Sequence, residues 1–302
     1  MKRPSEVPVH AQEESRRAFL RRAAALMPAL ALLPRPFQDT LFVTDRTIIL
    51  KRLAAGMEED LFRLAMGDLV AAMGRSFLER PYEANTLEEP GPERLVVNLR
   101  EFDCVTLCET SLALARGIKL HASTVRGYTT QLESIRYRGG KCNGYGSRLH
   151  YFSEWIDDNA ARKIVRNVTG SLGGVRDRRR LNFMSTHREA YPPLADAANF
   201  AAIVAMEKSL GRRARLYVPK AHVASIEKEI QTGDIIAVTT GVSGLDVAHT
   251  GIAVREGGVT RLLHAPNVGQ QVQITTLSLS AYLGAHEKQT GIMVARPVDP
   301  SS

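Results

Sequence analysis

The sequence predicts an α+β domain that combines a helix with a cysteine at its first position, further helices and loops, and a meandering antiparallel sheet. Three observations carry the prediction. Apolar residues recur every three to four positions from about Thr44 to Ile135, the period of amphipathic helices. The C-terminal third changes to short alternating runs parted by glycine pairs, the pattern of strands and tight turns. Between them, a polar turn at Leu99-Arg100-Glu101-Phe102-Asp103 runs directly into the apolar stretch that begins at Cys104.

At 302 residues, with 44% hydrophobic and 24% charged residues, the chain can bury a full core, and a single domain over 37–302 is expected. The formal charge is +8. Residues 1–36 hold seven Lys/Arg against three Glu, which leaves about +4 for the rest. That excess is too small, and too poor in basic-aromatic platforms, to indicate a nucleic-acid partner. Three cysteines exclude a disulfide scaffold. No paired-cysteine or His-Glu-x-x-His spacing announces a metal, although Asp246, His249 and His264 are potential ligands in principle. No cofactor is expected.

The N-terminus reads as a targeting segment. Ser15-Arg16-Arg17-Ala18-Phe19-Leu20-Arg21 precedes an apolar run from Ala23 to Leu33, then Pro34 and Pro36. The run is too short to span a bilayer. With its charged flank it resembles a twin-arginine export signal over 1–36, which implies the matching export machinery as a partner and a periplasmic or cell-envelope location. No stable membrane insertion is expected after processing.

Ile48, Ile49, Leu53, Met57, Leu61 and Leu64 then form a helical lead-in over about 44–75, with Gly56 and Gly67 as expected breaks. Tyr82–Leu87 and Leu95–Asn98 are short extended candidates around the Pro90-Gly91-Pro92 loop. Asp103 is a good N-cap, Phe102 and Leu107 form a hydrophobic staple, and Gly117 is the expected stop after Arg116. Val125, Tyr128, Leu132 and Ile135 mark the next helix. A basic, glycine-rich loop from Arg136 to Gly146 delivers Ser147-Arg148-Leu149-His150-Tyr151-Phe152-Ser153-Glu154-Trp155. A guanidinium among aromatics suits a carboxylated ligand; the same spacing also suits the buried face of a helix running to about Ala160.

Ile164–Thr169 reads as a strand, Arg176–Arg180 as solvated surface, and Asn182–His187 as a shaped loop. Helices follow at Phe200–Leu210 and from Pro219 to Ile230, flanking an extended Arg215–Val218. Strands at Gly233–Thr239, His249–Val254, Val259–His264 and Gln271–Thr275, a helix at Ser280–Glu287 and a strand at Ile292–Arg296 complete a meandering sheet.

A helix start favours thiolate over thiol through its unpaired N–H groups and dipole, so Cys104 is the candidate nucleophile. A thiol nucleophile needs a base and a group that fixes the base's tautomer. His249 at the head of one strand and His264 on its hairpin neighbour can supply both, if their side chains share a face of the sheet.

The chain also resembles a known family. Gly233-Asp234, His249-Thr250-Gly251-Ile252 and His264-Ala265 are similar to NlpC-type papain-like cell-wall peptidases. Phe102-Asp103-Cys104-Val105-Thr106, Ser147-Arg148-Leu149-His150-Tyr151-Phe152, Asn182-Phe183-Met184-Ser185 and Gly244-Leu245-Asp246-Val247 resemble the N-acetylmuramoyl-L-alanine amidase-like branch, from about Thr44 to the C-terminus. The resemblance implies a papain-like fold and hydrolysis of the amide between muramic acid and L-alanine in peptidoglycan fragments. By carry-over Cys104 is the nucleophile, His249 the general base and then acid, and His264 the orienting group. Arg148, Tyr151, Asn182 and Lys220 are candidates for gripping the muropeptide. The alternatives are an endopeptidase cutting inside the stem peptide, or a non-catalytic muropeptide-binding module. Cys108 departs from the pattern, and a thiol one turn beyond Cys104 could trap it on oxidation. Asp103 is expected to turn its carboxylate to the helix N–H groups, because a free anion beside the thiol opposes ionisation.

Overall fold

The computed structural model describes residues 41–300; the expected export signal lies outside the described residues. The helical lead-in forms α1 (Val43–Glu58) and α2 (Met66–Arg75). Gly56 is no break. It lies inside α1, where an added Cβ would meet Ile118 at 2.6 Å, so the glycine permits close helix packing instead. Then come α3 (Cys104–Lys119), α4 (Val125–Arg136) and α5 (Phe152–Ala161). Gly117 does not end α3 either; it sits within the helix against Leu53. Tyr82–Leu87 and Leu95–Asn98 are not strands. Pro81 and Tyr82 make only isolated bridges, to Gln271 and Phe102.

Short strands β1 (Val165–Asn167) and β2 (Val175–Asp177) follow, so the arginine-rich stretch opens as an edge strand. The expected loop after it contains the one-turn helix α6 (Phe183–Thr186). The rest runs α7 (Ala197–Leu210), β3 (Arg215–Pro219), α8 (Lys220–Ile226), β4 (Ile235–Thr240), β5 (Val247–Glu256), β6 (Val259–His264), β7 (Gln273–Ile274), α9 (Leu279–Gly284) and β8 (Gln289–Pro297). No helix among the described residues is long and apolar enough to cross a membrane.

The sheet has the order β2-β3-β8-β4-β5-β6-β7, with β1 also on β8. Only β4 to β7 meander. The last strand turns back to pair along the other side of β4, a return that strand patterns alone do not reveal. Alternation then sorts the side chains between two cores. Ile235, Ala237, Ile252, Val254 and Leu263 face α2 and α3, whereas Ile236, Val238, Ala253 and Leu262 face Leu279 and Leu283 of α9 and Val223 of α8. Burying one such Leu or Val is worth about 1.5–3 kcal/mol, so the register of β5 and β6 is strongly held. A third cluster, around Tyr145, Tyr151, Met184 and Leu194, packs the helical layer between β2 and β3.

Candidate active site

Cys104 is placed by its cap. Asp103 is extended (φ −92°, ψ 179°), and its Oδ1 accepts from the Val105 N–H at 2.9 Å and the Thr106 N–H at 2.7 Å. Thr106 Oγ1 returns a bond from the Asp103 N–H at 3.0 Å, completing a capping box. Phe102 and Leu107 are fully buried, as the staple requires. The turn before the helix is held by Phe102 N–H on the Pro81 carbonyl and Glu83 N–H on the Phe102 carbonyl, each 3.0 Å.

Strand β5 is fastened to this helix start at Thr250, whose hydroxyl donates to the Cys104 carbonyl at 2.7 Å. His249, the preceding residue, is in register with Val238, and its ring centroid lies 6.5 Å from that of Tyr282 in α9. A bulge beside it pairs Thr239 with Val247, leaving Ala248 as the extra residue. His264 lies one step beyond the Ile252–Leu263 pair, next to Gly251. Gly251 has no side chain to part the two histidines, and a Cβ there would meet Leu262 at 2.7 Å. The expected geometry is therefore realised: His249 Nε2 and His264 Nδ1 are 2.8 Å apart, with ring centroids 5.0 Å apart.

The electrostatics differ from the expectation for Cys104. Burial, and then the Asp103 charge, push its thiol up to about 11, against hydrogen bonds from Thr250 that lower it. A helix start is worth at most about 2 kcal/mol, and here burial outweighs it. Burial also raises the Asp103 carboxyl, opposed by the bonds from Thr106 and by Arg136. His249 is lowered to about 3 by burial and then by the charges of His264 and His286. His264 falls to about 4 by burial and then by His286. Burial thus favours the uncharged form of the thiol and of both imidazoles.

Two tyrosines without any motif complete the surroundings. Tyr82 is pushed up to about 12 by burial, then by the charges of Cys104 and Asp103. Tyr282 is raised by burial, against a hydrogen bond from Gln289, with the Cys104 charge adding to the rise. Neither stands in a sequence pattern, because chain segments far from Cys104 carry them there. Cys108 is fully buried, 3.8 Å from Thr250 Oγ1.

The residues expected to grip a ligand are distributed otherwise. Arg148 is 6% exposed and clamped between Glu88 Oε1 at 2.9 Å and Glu93 Oε2 at 2.8 Å. Its guanidinium is thus paired within the chain rather than turned to an open surface. Tyr151 is likewise buried; its hydroxyl donates to Glu207 Oε1 at 2.7 Å and accepts from the Met184 N–H at 3.2 Å. Trp155 belongs to the helix core, stacked on Phe152 and donating to Glu109 at 3.2 Å. Asn182 is half-buried, its N–H on the Gly244 carbonyl at 3.1 Å. Lys220 Nζ donates to the His286 carbonyl at 3.1 Å, on the α9 side of the histidine pair. Asp246 accepts from the Ser153 N–H at 2.8 Å. No group of three or more potential ligands among the described residues is arranged to hold a metal.

Known proteins share this arrangement of chain. A family model described as N-acetylmuramoyl-L-alanine amidase-like matches residues 72–292, a span containing Cys104, His249 and His264. No curated protein matches the sequence. Among solved structures, an N-acetylmuramoyl-L-alanine amidase from Bacteroides uniformis is 38% identical with a TM-score of 0.73, covering 77% of this chain and 98% of its own. A Bacteroides fragilis protein named as a candidate xylanase is 36% identical, TM-score 0.69, over 74% of this chain and 99% of its own. At 19% identity, a Legionella pneumophila protein shares the fold with a TM-score of 0.63, over 84% of this chain and 95% of its own.

Proposed function

The chain belongs to the N-acetylmuramoyl-L-alanine amidase-like family, and from that premise we propose that it is a cysteine amidase hydrolysing the bond between the lactyl group of N-acetylmuramic acid and L-alanine in peptidoglycan fragments. The observation that carries the reading is the 2.8 Å His249–His264 contact beside a capped helix start that Thr250 ties to the same strand. A nucleophile helix packed on an antiparallel sheet also supports a papain-like, NlpC-type reading of the fold. Residues 15–33 support twin-arginine export to the periplasm or cell envelope.

The mechanism follows from hydrogen-bond direction. With Nε2 of His249 donating to His264 Nδ1, Nδ1 of His249 is left unprotonated and serves as base for the Cys104 thiol. The thiolate attacks the lactyl carbonyl, forming a C–S bond while the carbonyl oxygen gains the charge. Asp103 spends its carboxylate on the N–H groups of Val105 and Thr106 rather than on that of Cys104, so the Cys104 N–H serves the oxyanion. Collapse breaks the C–N bond, and the peptide amine leaves with the proton from His249. Water, losing a proton to His249, then cleaves the thioester and restores the thiol.

Mass spectrometry of digested muropeptides tests the assignment. The amidase reading expects an intact stem peptide and free muramoyl sugar. A shortened stem still attached to the sugar would establish the endopeptidase instead, and hydrolysis unaffected by Cys104→Ala would remove the cysteine from the chemistry.

A further inference from the structure

Tyr282 has no part in the steps above, yet its ring lies beside both histidines of the site. Its ring stands at 90° to His264 with centroids 5.5 Å apart, and lies 6.5 Å from His249. On its outer side it meets His286 at 4.6 Å, and His286 Nδ1 lies 2.7 Å from the Tyr282 carbonyl. Helix α9 is itself anchored, by the Ser278 cap and by Leu279 and Leu283 in the core under the sheet.

The second observation concerns His264. Its Nδ1 is bound to His249, but its Nε2 is buried without a hydrogen-bond partner. In the tautomer that makes His249 a base, that Nε2 carries the proton. An unpaired buried donor is unfavourable, so hydrogen bonding holds this ring through one nitrogen only. Packing must supply the rest of its confinement. Tyr282 packs edge-on against that ring.

We propose that Tyr282 is a positioning residue that locks the His249–His264 pair in the orientation needed for His249 to take the Cys104 proton. The proposal rests on the amidase reading only for its turnover arm. Lys220, bound to the His286 carbonyl, belongs to the frame that holds the end of α9.

The test uses the full chain and two readouts. Alkylation of Cys104 by iodoacetamide, followed across pH, reports proton abstraction without any substrate, with His249→Ala as the reference for its loss. Because general-base help is worth about 10²–10⁴-fold, Tyr282→Leu is expected to slow alkylation at pH 7 by about tenfold, partway to the reference. Tyr282→Phe, which keeps the ring, stays within about threefold of wild type. In muropeptide hydrolysis, Tyr282→Leu lowers kcat by about tenfold with KM unchanged. If Tyr282→Leu does not fold, Tyr282→Met replaces it with the same expectation. Wild-type alkylation and turnover in the leucine variant overturn the proposal, as does a raised KM at constant kcat, which would make Tyr282 a substrate contact. If no muropeptide is cleaved but the alkylation pattern holds, the amidase reading fails and the positioning role stands.

Discussion

Two polar regions of this molecule look alike in sequence and behave differently in space. One is the Cys104–His249–His264 site; the other is the segment around Arg148, His150 and Tyr151. Both contain buried imidazoles, aromatics and an ionisable partner. In the second region the charged and imidazole groups pair within the chain, with Arg148 between Glu88 and Glu93, His150 Nε2 2.9 Å from the Tyr145 carbonyl, and Tyr151 on Glu207, while Arg148 Nε and the Tyr145 hydroxyl stay buried without a partner. In the first, the bonding runs through one nitrogen of each histidine and stops. A cluster whose charges pair within the chain stabilises a fold, whereas an imidazole pair with no ionic partner is available for chemistry.

Substitutions separate the two kinds of cluster. The largest expected effect is on activity alone: Cys104→Ala should reduce muropeptide hydrolysis by at least ~10³-fold, while thermal melting shows the fold intact. Next is the buried pair beneath the site, Arg136 and Glu109, at 2.7 Å and both almost fully buried. Arg136→Met leaves that carboxylate unpaired and should cost about 3–5 kcal/mol in urea unfolding. Arg148→Met should cost less, about 2–3 kcal/mol, because Glu88 retains some contact with water. Its decisive readout is KM, expected to stay unchanged in the folded fraction; a tenfold rise would return Arg148 to the binding site.

The smallest effect is a pH slope. His249 and His150 both have folded values of about 3, below the ordinary ~6.5 of an unfolded chain. Between those values the unfolded chain binds more protons, so their contribution is intact above about pH 6.5 and is lost as pH falls toward 3. Buried carboxyls such as Asp103 and Asp246 are raised and act in the opposite sense, so the difference between proteins is the useful quantity. From pH 7 to pH 4, wild type should lose melting temperature relative to both His249→Gln and His150→Gln. Parallel curves would show that these imidazoles do not stay neutral in the fold.

Much of the local structure was legible along the chain. The Asp103 cap, the helices at Cys104 and Val125, and the β5–β6 hairpin at Gly257-Gly258 follow from residues close in sequence. The glycines were harder. Gly56 and Gly117 resemble stops, yet each lies within a helix against a partner more than sixty residues away, and helix breaking cannot be told from close packing without that partner. Arg148 shows the same limit, since the carboxylates that neutralise it stand some sixty residues earlier.

By itself the sequence determined the candidate groups, a thiol at a capped helix start and two histidines on neighbouring strands, because caps, hairpin register and side-chain alternation are local properties. The tertiary structure decided which of those groups remain open. It brought Thr250 to Cys104, laid Tyr282 against the histidine pair, turned β8 back beside β4, and closed Arg148 between two carboxylates. Burial and hydrogen-bond closure depend on partners distant in the chain, and no local pattern records them.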